Sequence, residues 1–128
     1  VDREARLSST RDTLNMCQQF AAQERGIIII YPEGTRSVTG DMQAFKKGAV
    51  YIALKLGLPI VPAHIKGSHK AFAKGKRFVR PGRCQITFGH VLSQDQSVDH
   101  EGKTIRKNAE NLTALLYERI RLLGESHD

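Results

Sequence analysis

Tryptophan is missing from these 128 residues, and cysteine occurs only twice, at Cys17 and Cys84. Two thiols cannot supply the dense disulfide framework of a small secreted domain, and neither has metal-ligand spacing around it. They read as buried thiols of a reducing compartment. No stretch approaches the roughly eighteen apolar residues needed to span a bilayer, and no signal-peptide pattern is present. Any membrane contact is then expected at the surface, or from sequence outside this chain. A Gly-x-x-x-x-Gly-Lys-Ser/Thr loop is also absent, which argues against nucleotide hydrolysis. There is no internal repeat and no low-complexity tract. Acidic residues are outnumbered, 13 Asp+Glu against 20 Lys+Arg, for a net charge of +7. That balance favours an anionic partner: nucleic acid, an acidic bilayer or a phosphorylated substrate. Charge alone does not choose among them. The length allows one modest core, hence one domain or part of one, and a start at Val1 rather than Met reads as a cut fragment.

The chain is organised around Ile27-Ile28-Ile29-Ile30-Tyr31-Pro32-Glu33-Gly34-Thr35-Arg36-Ser37. Four β-branched apolar residues predict a buried strand, which Pro32 and Gly34 then stop. A carboxylate, two hydroxyls and a guanidinium follow at its C-terminal end, where open α/β sheets place their ligand crevices. Arg36 has a planar fork suited to phosphate or carboxylate, and Gly34 admits close backbone approach. Glu33 can orient Arg36 or hold a hydroxyl. A solvated polar turn after a strand is the plainer reading of the same composition.

Around this stretch, Ser8, Ser9 and Thr10 offer N-cap oxygens. Leu14, Cys17, Phe20 and Ala21 then recur at helical spacing up to Gly26, predicting a helix of about four turns with one face on a sheet. Phe45-Lys46-Lys47-Gly48-Ala49 leads into a helix from Gly48 to Leu56 that Gly57 ends. Lys46 and the first-turn N–H groups of that helix can converge on one anion, with Lys47 a weaker candidate; paired lysines on a loop are otherwise simply solvated. Leu58 to Ile65 is an apolar strand, with Pro59 at its start and Pro62 at a bulge, edge or bend. His64 within it reads as structural.

From Lys66 to Arg83 the chain is basic, with Phe72 and Phe78 interleaved. Such a loop can bind single-stranded nucleic acid, face anionic headgroups or merely be solvated. No nucleic-acid fold signature accompanies it, so the lipid or acyl-carrier side is favoured. Cys84 to Gly89 alternates as a half-buried strand, with Ile86 and Phe88 opposed to Gln85 and Thr87. Ser93 to Lys103 is a polar linker. Ile105, Ala109, Leu112, Leu116, Ile120 and Leu123 mark the apolar face of a closing helix of about five turns.

The block Tyr-Pro-Glu-Gly-Thr-Arg-Ser resembles the Phe-Pro-Glu-Gly-Thr-Arg-Ser block of the glycerolipid acyltransferases, which include the 1-acylglycerol-3-phosphate and lysophospholipid acyltransferases. Val1-Asp2-Arg3 resembles the tail of the family's preceding block, Phe-Lys-x-Gly-Ala its sequence after the turn, and the Val61-Pro62 region its proline-bracketed block. The likeness runs from Val1 to about Val91. It implies an α/β fold, a single truncated acyltransferase domain over residues 1–128, with a mostly parallel central sheet flanked by helices. It further implies a substrate-binding set of Arg3, Glu33, Gly34, Thr35, Arg36 and Lys46, in which the cations meet the acceptor's phosphate.

The activity implied is transfer of a fatty acyl group from acyl-CoA or acyl carrier protein to lysophosphatidic acid, giving phosphatidic acid for phospholipid synthesis. Glycerol 3-phosphate or another lysophospholipid is the alternative acceptor. A non-catalytic basic module for anionic lipid or nucleic acid is the alternative class. No cofactor or metal is expected, no nucleic acid either, and the place of action is the cytoplasmic side of a membrane, by peripheral contact or an anchor in preceding sequence. Family members work through an Asn-His-x-x-x-x-Asp block ahead of the apolar-Asp-Arg block, with the His as base and the Asp fixing its tautomer. These 128 residues do not contain it, so the chain is expected to carry no catalytic residue and to be inactive alone. His90 to Asp95 has the right spacing, but Gly89 stands where Asn should and the pair follows the Pro-Glu-Gly-Thr-Arg block. It reads as a chance match.

Overall fold

The computed structural model of the chain describes residues 3–23, 26–93 and 102–126, with side chains from residue 11 onward in the first stretch and from 107 onward in the last. Within them the order of elements is α1 (Arg3–Ala21), α2 (Gly48–Leu56), β1 (Ala63–Lys66), α3 (Ser68–Ala71), β2 (Gln85–Phe88) and α4 (Gly102–Glu125).

The core forms where α4 crosses α2. Ala109, Leu116 and Ile120 recur on one stripe of α4 and bury against Val50 of α2, with Leu54, Ile60, Leu92 and Leu112 closing around them. Phe45, just ahead of α2, meets Tyr117 edge to face at 5.1 Å between ring centroids. Thr113 is buried on the same stripe, and its hydroxyl donates to the Ala109 carbonyl at 2.5 Å, so the polar atom is not left bare in the core. α2 ends as its sequence dictates. Gly57 takes φ +64°, and Leu58 N–H donates back to the Ala53 carbonyl at 3.0 Å.

β1 and β2 pair antiparallel, with Ala63 opposite Phe88, His64 opposite Thr87 and Ile65 opposite Ile86. An isolated bridge between Ile60 and Leu92 extends the ladder past Pro62. Pro62 is buried and its carbonyl accepts from Gly89 N–H at 2.9 Å, so it bends the chain between bridge and strand. One face of the pair lies on α4: His64 packs so closely there that a Cβ on Gly124 would fall 2.7 Å from its Nε2. This matches the structural role expected of His64.

Several expectations need correction. Residues 27–30 form no strand. A strand requires a ladder partner, none of the described backbone supplies one, and the segment runs extended with Ile27 85% and Ile29 74% exposed. The α/β class stands, but the strands that pair are antiparallel. A parallel unit would need residues 27–30 as its first strand, with α2 as the crossover to β1. α1 starts at Arg3, so Ser8 to Thr10 lie inside it rather than capping it, and it packs on α2 rather than on a sheet. The alternation in β2 is inverted relative to expectation: Thr87 is the partly covered residue, while Ile86 and Phe88 are 55% and 68% exposed. Cys17 is buried as expected. Cys84 is exposed, because it lies at the end of the long loop before β2; both are free thiols. Val1, Asp2 and Asp95 lie outside the described residues.

Candidate anion-binding site

The turn that follows residues 27–30 is built by its own sequence. Gly34 N–H donates to the Tyr31 carbonyl at 3.0 Å, closing a four-residue turn with Pro32 second and Gly34 last, the positions such turns prefer for these residues. Two further bonds strap residues 43–46 onto it. Lys46 N–H donates to the Pro32 carbonyl at 2.8 Å, and Gln43 N–H donates to Glu33 Oε2 at 2.9 Å. The Glu33 carboxylate therefore holds the strap that delivers Lys46.

Gly34 has φ +70°, and a Cβ there would lie 2.7 Å from Lys46 Nζ and 3.0 Å from its Cε. The lysine side chain lies across the glycine, in space that only a missing side chain leaves open. Next to it, Lys74 Nζ donates to Thr35 Oγ1 at 3.3 Å. Two ammonium groups, one from the strap and one from the basic loop after α3, thus flank consecutive residues of the turn. The Arg36 guanidinium carbon sits 4.9 Å above the centre of the Phe72 ring, which holds the fork by cation–π contact while leaving Arg36 exposed.

Lys47 goes elsewhere. It pairs with Glu110 of α4, and that hydrogen bond, reinforced by the lysine's charge, holds the Glu110 carboxyl below its ordinary value. Of the adjacent lysines, Lys46 serves the turn and Lys47 ties the start of α2 to α4. Arg3 opens α1, but its side chain lies outside the described residues. His90 is exposed.

Sequence reasoning placed Glu33, Gly34, Thr35, Arg36 and Lys46 in one region, and the structure brings Gly34, Thr35 and Lys46 into one cluster. It missed Lys74 and Phe72. The only signal was their presence in a basic, aromatic-bearing loop, and which of its residues turn back toward residue 35 depends on the path of the loop. Among the described residues no group of His, Cys, Asp and Glu is arranged to hold a metal, and no helix is long and apolar enough to cross a membrane.

The acyltransferase family model matches residues 1–66, and the chain belongs to that family. The chain is 39% identical over 93 residues to a 1-acyl-sn-glycerol-3-phosphate acyltransferase of Cocos nucifera, covering 73% of this chain and 29% of that one. It is 52% identical over 68 residues to the enzyme of the same name from Limnanthes alba, covering 53% of this chain and 24% of that one. Among solved structures it resembles the 1-acyl-sn-glycerophosphate acyltransferase PlsC of Thermotoga maritima, with a TM-score of 0.56 and 26% identity, over 85% of this chain and 43% of that one. The chain therefore spans less than half the length of each of these proteins.

Proposed function

We propose that this chain is the acceptor-binding part of a 1-acylglycerol-3-phosphate acyltransferase. The full-length protein would move a fatty acyl group from acyl-CoA or acyl carrier protein to lysophosphatidic acid. The acceptor's hydroxyl oxygen forms the new ester bond, the thioester C–S bond breaks, and the thiol leaves with the proton. Phosphatidic acid is the product, made at the cytoplasmic face of a membrane.

The observation that carries this reading is the meeting of Lys46 and Lys74 at Gly34 and Thr35. Two ammonium groups beside a turn with a bare glycine suit a phosphate monoester, since each can donate to a different oxygen. Arg36, held over Phe72, supplies a planar fork at the edge of the same turn. Glu33 acts through the strap, as a positioning residue for Lys46. Arg3 is assigned to the same phosphate from its place in the family block. The base for the acceptor hydroxyl is assigned to the family's His block.

The test is steady-state kinetics of the full-length protein carrying Arg36→Ala. The KM for lysophosphatidic acid should rise about tenfold, as expected for loss of one exposed charge-assisted contact, with kcat changed less. An unchanged KM removes Arg36 from phosphate binding.

A further inference from the structure

Lys74 reaches Thr35, but its neighbours on the loop turn to a different place. His69, Lys70, Lys76, Phe78 and Arg80 line a cavity of about 320 Å³. Residues 76, 78 and 80 all contribute to its wall. The loop is pinned rather than loose, because Lys76 N–H donates to the Ala73 carbonyl at 3.1 Å and Arg80 N–H to the Ala71 carbonyl at 2.8 Å. Three cations share the wall, with no carboxylate among its described lining; Thr39, also in the wall, donates to Asp41 at 2.8 Å.

His69 adds an independent observation. Its Nδ1 is buried without a hydrogen-bond partner among the described residues, and its ring is fixed against Gly40, where a Cβ would fall 3.0 Å from Cδ2. A buried ring nitrogen without a partner is costly unless something supplies one.

Beside the cavity, Phe78 and Val79 are 82% and 70% exposed. Lys76 and Arg77 precede this apolar pair, and Arg80 and Arg83 follow it. An aromatic and an aliphatic side chain standing in water between cations suit the headgroup boundary of an anionic bilayer. A nucleic acid would use Phe78 for stacking but has no use for Val79.

We propose that the cavity holds the phosphate of an anionic bilayer lipid and that Phe78 and Val79 enter the headgroup region beside it, docking the protein on the membrane through this loop. Phe72 and Lys74 of the same loop touch Arg36 and Thr35, so docking brings the acceptor turn to the surface where a lysophospholipid resides. The inference deepens the acyltransferase reading. Its test uses no acyl transfer, so either can fail without the other.

The absence of tryptophan makes the test direct. Phe78→Trp in the full 128-residue chain gives a single indole, to be titrated with vesicles of phosphatidylcholine with and without about one third phosphatidylglycerol. The indole emission should shift to the blue, and brominated acyl chains should quench it, with the anionic vesicles only. In cosedimentation, Phe78→Ser with Val79→Ser should lower partitioning at least about tenfold. So should Lys70→Gln, Lys76→Gln and Arg80→Gln together. The charge-matched Arg11→Gln, Lys107→Gln and Arg119→Gln on α1 and α4 should lower it by no more than about threefold. Circular dichroism confirms that each variant is folded.

Vesicle binding without a change in indole emission would overturn the proposal. So would equal losses from the two charge-matched triples. Release by a single-stranded oligonucleotide that shifts the indole in the same way would reassign the loop to nucleic acid. Release by inorganic phosphate, at ionic strength matched with chloride, would make soluble phosphate the occupant.

Discussion

Lys74 and Thr35 stand 39 residues apart in sequence and meet at 3.3 Å, ammonium to hydroxyl, at the turn that also carries Lys46 across Gly34. Both partners are exposed, so the contact contributes little to folding. Its value lies in where it leaves the ammonium, at the residue next to the glycine that Lys46 crosses. Lys74→Gln should therefore shift the melting temperature by no more than about 1 °C. It should raise the full-length protein's KM for lysophosphatidic acid roughly three- to tenfold. Thr35→Val should have a similar effect, and the double variant should be less than additive, because the two residues share one interaction. Additive effects would show that they act separately.

Gly34 leaves little room for a side chain. Its φ of +70° is unfavourable for any side chain, and a Cβ would strike the Lys46 ammonium end at 2.7 Å. Gly34→Ala should cost about 1 kcal/mol or more in urea unfolding, and should also raise acceptor KM because Lys46 must move away. Loss of stability with KM unchanged would show that Lys46 does not need its place over the glycine.

Lys47 is predicted to separate cleanly from Lys46. Its pairing with Glu110 holds that carboxyl below its ordinary value, so the pair adds stability above the unfolded-state pKa, and this is lost as the pH falls through the lower folded-state value. Both groups are exposed, so the effect is small and weakens with salt. Thermal melts of Lys47→Ala and the parent should differ slightly at neutral pH and converge in acid, once the pH falls below the ordinary glutamate range. Acceptor KM should be unchanged. A rise in KM matching that of Lys46→Ala would place Lys47 in the site.

The sequence made α2, its stop at Gly57 and the apolar stripe of α4 legible, because local propensity and burial act together there. Val50, Ala109, Leu116 and Ile120 bury as their spacing requires. It misled at Ile27 to Ile30 because β-branching reports a preference for extended backbone, whereas a strand exists only with a neighbour to pair with. In β2 the alternation correctly announced two unlike faces but could not say which face α4 would cover, and α4 takes the side of His64 and Thr87. The turn at residues 31–34 was legible because Pro32 and Gly34 fix its geometry locally. Lys74 and Phe72 were not, since their positions depend on how the loop after α3 folds back.

The most direct measurement is discrimination between phosphorylated and unphosphorylated acceptor by the full-length protein. The quantity is the ratio of kcat/KM for lysophosphatidic acid to that for the matching monoacylglycerol, in the parent and in Lys46→Ala. If the Gly34-Thr35 turn receives the phosphate, Lys46→Ala should lower this ratio about tenfold or more, chiefly through the phosphorylated substrate. A ratio that does not move would mean that the phosphate is bound elsewhere.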